Sequence, residues 1–287
     1  SNEFPGWVPA ATMESYRENN FTVGSSGGEG HTLVAHYTFE EDSIYAEDVS
    51  GNGNDISSSA SYGCGSLETT SDAKVGDFAV NFYTEDGDCP TWLSPPTNLV
   101  STVAGSFTVS LWIKTSGIFG EDEDDESSAA GILSASSGGA HNVLMPMGIT
   151  GSKLAFYTGG DGSDDDTLYS TTNINTGDFV HLAVTRNQST GEKKIYINGV
   201  LNASPFASTA LLDGAPEIEI GNHNGNGFDG NMDDIQIYSG VLSASEVAVL
   251  YQNPGITIPD SVNQGDPLGE AVDAPQFVWE TGGNAEW

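Results

Sequence analysis

Eight short segments in which apolar and polar residues alternate, each bounded by Gly, Asn, Asp or Pro, leave this chain little choice but sheet. They are LVAHYTF (33–39), FAVNFY (78–83), FTVSLWIK (107–114), KLAFYT (153–158), FVHLAVTR (179–186), KKIYINGVLNAS (193–204), EIEIGN (217–222) and DDIQIYS (233–239). All are rich in β-branched and aromatic residues, and a period of two sends successive side chains to opposite faces of a strand. Within the sixth, Asn198-Gly199 is a two-residue hairpin signal. No helical period separates successive segments, so a largely antiparallel sandwich is expected rather than an α/β fold. The 36 glycines supply turns between strands, and 37% hydrophobic residues suffice for one core.

One helix is predicted, over 244–252. Ser243 stands three residues before Glu246, the capping-box spacing, and Asn253-Pro254 provides the stop. Residues 1–30 read as an N-terminal extension ending in the flexible joint GSSGGEG, and 253–287 as a linker leading into, or contacting, a neighbouring module.

Charge narrows the partners. Against 41 Asp plus Glu stand 7 Lys plus Arg, a net charge of −34. Phosphate-rich partners need clustered cations, so nucleic acid and anionic membrane surfaces are excluded. Two acidic stretches, GIFGEDEDDESSAAG (117–131) and GGDGSDDD (159–166), read as solvated rim loops. Carboxylate-rich loops suit calcium, which takes all-oxygen ligands; solubility is the plainer explanation of the same acidity, and the two are compatible. No run of 18 apolar residues exists to span a membrane, and the start SNEFPGWVPA has neither a basic n-region nor an apolar h-region. An excised piece or a processed secreted chain fits that start. Cys64 and Cys89, both in Gly/Asp-rich turns, can close a disulfide, which would suit an oxidising, extracellular compartment; two free thiols are the alternative.

The ordered series LVAHYTFEEDS, DVSGNGNDI, VGDFAVNF, SFTVSLWIK, GDFVHLAVTRNQSTGEKKIYINGVLNAS, IEIGN and FDGNMDDIQIYSGVLSASEVAVLY resembles the laminin G-like domains of the concanavalin A-like lectin/glucanase superfamily, over residues 31–252. Phe179 stands where that family usually has Trp. The resemblance implies a jelly roll of two curved antiparallel sheets and a structural calcium between the DxSGNG loop and the Asp of the last strand. The residues offer their own rationale. With Ile235 and Ile237 on one face of DDIQIYS, strict alternation puts Asp233 on the same buried face, where a cation would neutralise its carboxylate. Asp48, Asn52 and Asn54 in the Gly-rich turn could add oxygens. Alternatively, Asp233 caps a backbone turn and DVSGNGN is an Asx-turn. Weaker calcium-like spacings are Asp161, Ser163 and Asp165, and Asn222, Asn224 and Asn226.

For chemistry, the hydrolases of the superfamily carry a Glu-x-Asp-x-Glu strand that is absent here. Glu217 and Glu219 come nearest, roughly 7 Å apart along one strand face, but alternating Glu usually marks a solvent side. HExxH is absent, and no GxSxG elbow supports Ser-His-Asp chemistry. The chain is therefore read as a non-enzyme. Binding is favoured instead, because alternation puts Trp112, Tyr157, His181 and Tyr196 on non-core faces of their strands. If those strands are neighbours, the four make a platform on the concave sheet for a sugar ring or an aromatic group. The opposing possibility is that N-terminal residues such as Phe4 and Trp7, or loops, cover the four as a second small core. The leading expectation is a non-catalytic extracellular recognition module for carbohydrate or a protein partner, with structural calcium. The alternative is a structural or adhesive building block of a multidomain cell-surface assembly.

Overall fold

The computed structural model describes residues 30–61, 63–84, 89–120, 128–135, 144–159, 166–204, 209, 212 and 217–261. The extension before residue 30, the acidic runs at 121–126 and 164–165, the triad Asp161, Ser163 and Asp165, and the segment after 261 lie outside them.

Two sheets face each other. The first runs β13 (Val200–Ala203), β12 (Lys193–Ile197), β11 (Val180–Arg186), β6 (Phe107–Lys114), β17 (Gly230–Ser239), β4 (Ala79–Tyr83) and β3 (Ser66–Thr70). Its eighth strand, β1 (Thr32–Tyr37), shares one edge of the long β17 with β4: Met232 pairs with Val80, and Ile235 with Tyr37. The second sheet runs β10 (Asp166–Asn173), β9 (Lys153–Thr158), β8 (Leu144–Thr150), β7 (Ala130–Ala135), β14 (Glu219–Ile220), β5 (Thr91–Ser94) and β2 (Ser58–Ser61). A short hairpin of β15 (Asn222–His223) and β16 (Asn226–Gly227) joins it along β7. With pairing antiparallel except at β16 and β7, this is the jelly-roll sandwich expected from the alternating segments.

The core lies between the sheets and is built from the inward half of each alternation: Val109, Leu111 and Ile113 of β6, Leu182 and Val184 of β11, Leu154 and Phe156 of β9, Ile235 and Ile237 of β17. Asn198 and Gly199 join β12 to β13 with φ of 50° and 74°, the pair of positive values that a type I′ turn demands. A side chain at Gly199 would meet Tyr251 Cβ at 2.8 Å and its ring at 3.0 Å, so glycine also permits close approach to the C-terminal helix. Cys64 and Cys89 form a disulfide.

Two helices are present among the described residues. The short α1 (Leu99–Ala104) packs into the main core through Leu99 and Val103, and was not expected from the sequence. The second, α2 (Ala244–Gln252), is the expected one, with its capping box intact: Ser243 Oγ accepts from the Glu246 N–H, and Glu246 Oε2 accepts from the Ser243 N–H at 2.7 Å. It lies on the outer face of the first sheet, where Val247 and Leu250 join Tyr196, Tyr238, Leu242 and Ile258 in a second, smaller core. The chain beyond the helix stays on this face through Ser261. Ile258 N–H donates to Tyr238 Oη at 3.0 Å, Ser261 N–H to the His31 carbonyl at 3.0 Å, and Leu33 N–H to Asp260 at 2.9 Å. The linker-like composition of 253–261 therefore belongs to a segment that packs on the sandwich.

Candidate recognition site

The outer face of the first sheet is a sequence of cross-strand rows. In one row Asp233 pairs with Trp112 and Trp112 with His181. Asp233 thus points outward with Trp112, opposite to the face that strict alternation assigns it. The cause is a β-bulge. Between Asp233 and Gln236 the register slips by one residue, and Asp234 takes up the extra residue at φ 50°, so Met232 and Ile235 both face the core while Asp233 and Gln236 both face out.

That row is covered. Tyr251 of α2 stacks on Trp112 with ring centroids 5.7 Å apart, His181 meets Trp112 edge-on at 5.1 Å, and the Lys74 ammonium sits 4.1 Å above the Trp112 ring. Trp112 and Tyr196 are each only 2% exposed, and His181 is 1% exposed. Burial pushes the His181 imidazole down to about 4, leaving it neutral, with Nε2 2.9 Å from Ser110 Oγ. Tyr157 stands on β9 of the other sheet, where it packs, half-buried, against Ala129 and Ala155. The four aromatic candidates are thus not one open platform: three form a covered layer and the fourth is on another sheet. The cover comes from the C-terminal helix and the Lys74 loop.

The four calcium candidates are tied into backbone hydrogen bonds. Asp48 Oδ1 accepts from the N–H groups of His36 and Ser50 at 2.9 and 3.0 Å, and Oδ2 from that of Asn54 at 3.0 Å. The Asn52 amide donates to the Leu33 carbonyl at 2.9 Å and that of Asn54 to the Val34 carbonyl at 2.8 Å, while Asn54 Oδ1 accepts from Asn98. Asp233 Oδ2 accepts from Lys74 N–H and Val75 N–H at 2.7 and 2.8 Å. Its Oδ1 is buried with no hydrogen-bond partner among the described residues, and burial raises the carboxyl to about 7. Asp234 connects the two regions, with His36 Nε2 2.7 Å from its Oδ1 and the Gly255 N–H donating to its Oδ2 at 3.0 Å. As these side chains stand they do not form a ready oxygen shell, since Asp48 has both oxygens committed; of the two carboxylates among the four candidates, only that of Asp233 keeps an oxygen, Oδ1, without a hydrogen bond among the described residues. Among the described residues no group of three or more His, Cys, Asp or Glu side chains is placed to hold a metal. In the β15–β16 hairpin, Asn222 Oδ1 accepts from the Gly225 N–H, and the Asn224 amide lies 3.2 Å from His223 Nε2. Glu219 is half-buried and accepts from Asn222 at 2.7 Å, its carboxyl raised by burial; Glu217 is exposed.

One row further along, the outer face opens. Glu68 pairs with Asn81, Asn81 with Asn231 and Asn231 with Lys114 across β3, β4, β17 and β6. Here lies a cleft of about 210 Å³ whose walls include Asp72, Asn81, Tyr83, Lys114, Asp229 and Asn231. Lys114 Nζ bonds both oxygens of Asp72 at 3.0 and 2.7 Å. Asn231 donates to the Asp72 carbonyl at 2.9 Å and accepts from Asn81 at 2.6 Å. Thr115 Oγ1 donates to the Asp229 carbonyl at 2.7 Å, and burial raises the Asp229 carboxyl. Tyr83 is 50% exposed. None of these residues was singled out from the sequence. The available signal was an amide next to core residues in each of the segments FAVNFY and GNMDDIQ.

The family model Laminin_G_3, described as concanavalin A-like lectin/glucanases superfamily, matches residues 90–248. The chain belongs to that superfamily. Among solved structures, it is similar to domain 4 of AbnA, a GH43 extracellular arabinanase from Geobacillus stearothermophilus, in complex with arabinotriose: TM-score 0.58, 24% identity, covering 78% of this chain and all of that domain. It is also similar to the binding domain of botulinum neurotoxin DC in complex with rat synaptotagmin II (TM-score 0.54, 16% identity, 77% of this chain). A botulinum neurotoxin type C structure, from work describing cell entry as dependent on interaction with two ganglioside molecules, matches with the same three values. The chain spans about half the length of those toxin chains, 51% in each case. No curated protein matches the sequence.

Proposed function

We propose that this domain is a non-catalytic extracellular recognition module whose ligand is a carbohydrate, bound in the cleft between Asp72, Asn81, Tyr83, Asp229 and Asn231. The cleft is the observation that carries the reading: an accessible aromatic ring beside a set of amides, carboxylates and one ammonium suits a ring with one apolar face and a rim of hydroxyls. Neighbours of the same fold in complex with arabinotriose or synaptotagmin II, or described as interacting with gangliosides, support recognition as the class of function. Catalysis has weaker support, because Glu219 is engaged by Asn222 and its strand neighbour Glu217 is solvent-facing. The structural calcium is a separate proposal resting on Asp233 Oδ1. The deciding experiment is a glycan array with wild-type protein and Tyr83→Ala, beside a reducing-sugar assay. Binding of a glycan class that Tyr83→Ala loses, without sugar release, supports the reading. Absence of binding, or sugar release abolished by Glu219→Gln, overturns it.

A further inference from the structure

The charge arrangement in the cleft also selects among sugars, an inference that rests on the recognition reading above. Its one ammonium is already spent, since both oxygens of Asp72 close on Lys114. An acidic sugar would therefore find no uncommitted cation, and would instead face Asp72, the half-buried Asp229 and, in the same row, Glu68. Such like charges in a partly desolvated site repel, and the −34 of the whole chain adds to the penalty. What the cleft has uncommitted is acceptors: the sole hydrogen bonds of the Asn81 side chain and the Asp229 carboxyl among the described residues involve Asn81 Nδ2 and Asp229 Oδ1, leaving Asn81 Oδ1 and Asp229 Oδ2 for incoming hydroxyls. A volume of about 210 Å³ lies below the roughly 300–1,000 Å³ of clefts that enclose drug-sized ligands, and fits one ring rather than several. We infer that the cleft takes a single neutral pentose or hexose residue, with an apolar ring face on Tyr83 and hydroxyls donating to Asn81 and Asp229, and that it rejects uronic, sialylated and sulfated sugars.

The test is titration calorimetry of wild-type protein with neutral pentose and hexose oligosaccharides and with oligogalacturonides and sulfated oligosaccharides of matched length. The variants are Tyr83→Ala and Asp229→Asn, each checked for an unchanged melting curve. Expected is measurable binding of at least one neutral series, weakened about tenfold by Tyr83→Ala, the size of one lost aromatic contact. A comparable loss in Asp229→Asn is expected, with acidic oligosaccharides at least tenfold weaker than neutral ones. Acidic sugars that bind as tightly as neutral ones overturn the inference and leave carbohydrate recognition standing. So does neutral binding that both variants retain, which places the site elsewhere on the domain. Silence towards every glycan overturns both.

Discussion

His181 shows what burial does to a residue that sequence reasoning marked for binding. It is neutral, edge-on to Trp112 and within reach of Ser110, because the covered outer layer leaves no solvation for an imidazolium. Its imidazole is lowered from 6.5 to about 4. The sign of the linkage follows. As pH falls below 6.5 the unfolded chain takes up a proton that the native chain refuses until about 4, so this contribution to stability is present above the unfolded value and is lost through that window. On the order of 1–3 kcal/mol is at stake by pH 4. His181→Phe should flatten the decline in Tm between pH 6.5 and 4, while costing about 1 kcal/mol at pH 7 through the unpartnered Ser110 hydroxyl. An unchanged decline in the variant would show that His181 is not the titrating group; His223, also lowered to about 4 by burial, would then account for it.

At the level of elements, α2 decides whether the outer face of the first sheet is a platform or a core. Its start depends on the reciprocal Ser243 and Glu246 bonds. Ser243→Ala should cost about 1 kcal/mol in urea unfolding. It should also raise Trp112 fluorescence quenching by acrylamide, because Tyr251, at the far end of the same helix, is the ring stacked on Trp112. Quenching that does not change would mean that the cover is held by the chain after Asn253 rather than by the helix. This element was legible in the sequence, as was the Asn198-Gly199 hairpin, because a cap and a type I′ turn are written in two to four adjacent residues. The strands β6 and β9 were read to the residue for a similar reason, each alternating strictly. The bulge at Asp234 was not legible. It depends on β17 serving β6 on one edge and β1 with β4 on the other, and a single positive φ there moved Asp233 to the opposite face. The cleft escaped for a related reason: Asn81, Asn231 and Lys114 are far apart in sequence and become neighbours only through strand order.

For the whole molecule, the excess of acid over base matters both for stability and for any role of calcium. A net charge of −34 on the chain destabilises the compact state by self-repulsion, which any salt relieves by screening. Stabilisation by calcium chloride alone therefore proves nothing about a site, since a divalent ion also screens. The two effects separate when ionic strength is held constant. Sodium chloride should raise Tm smoothly, with most of the gain complete once the Debye length falls below about 10 Å, near 0.1 M. A calcium ion bound at Asp233 Oδ1 adds to this a saturable increment, growing as RT ln(1 + [L]/Kd), which magnesium at equal ionic strength does not reproduce because it sheds its waters reluctantly and demands near-ideal octahedral geometry, while Oδ1 lies in a buried, irregular setting. Asp233→Asn should abolish that increment and leave the sodium response intact, because it removes one charge among 41. Melting curves in sodium, magnesium and calcium chloride at matched ionic strength, repeated with EDTA and with Asp233→Asn, read both effects at once. If the three salts superimpose and EDTA changes nothing, the calcium proposal fails, and the buried Asp233 is then held by the Lys74 and Val75 N–H groups without a metal.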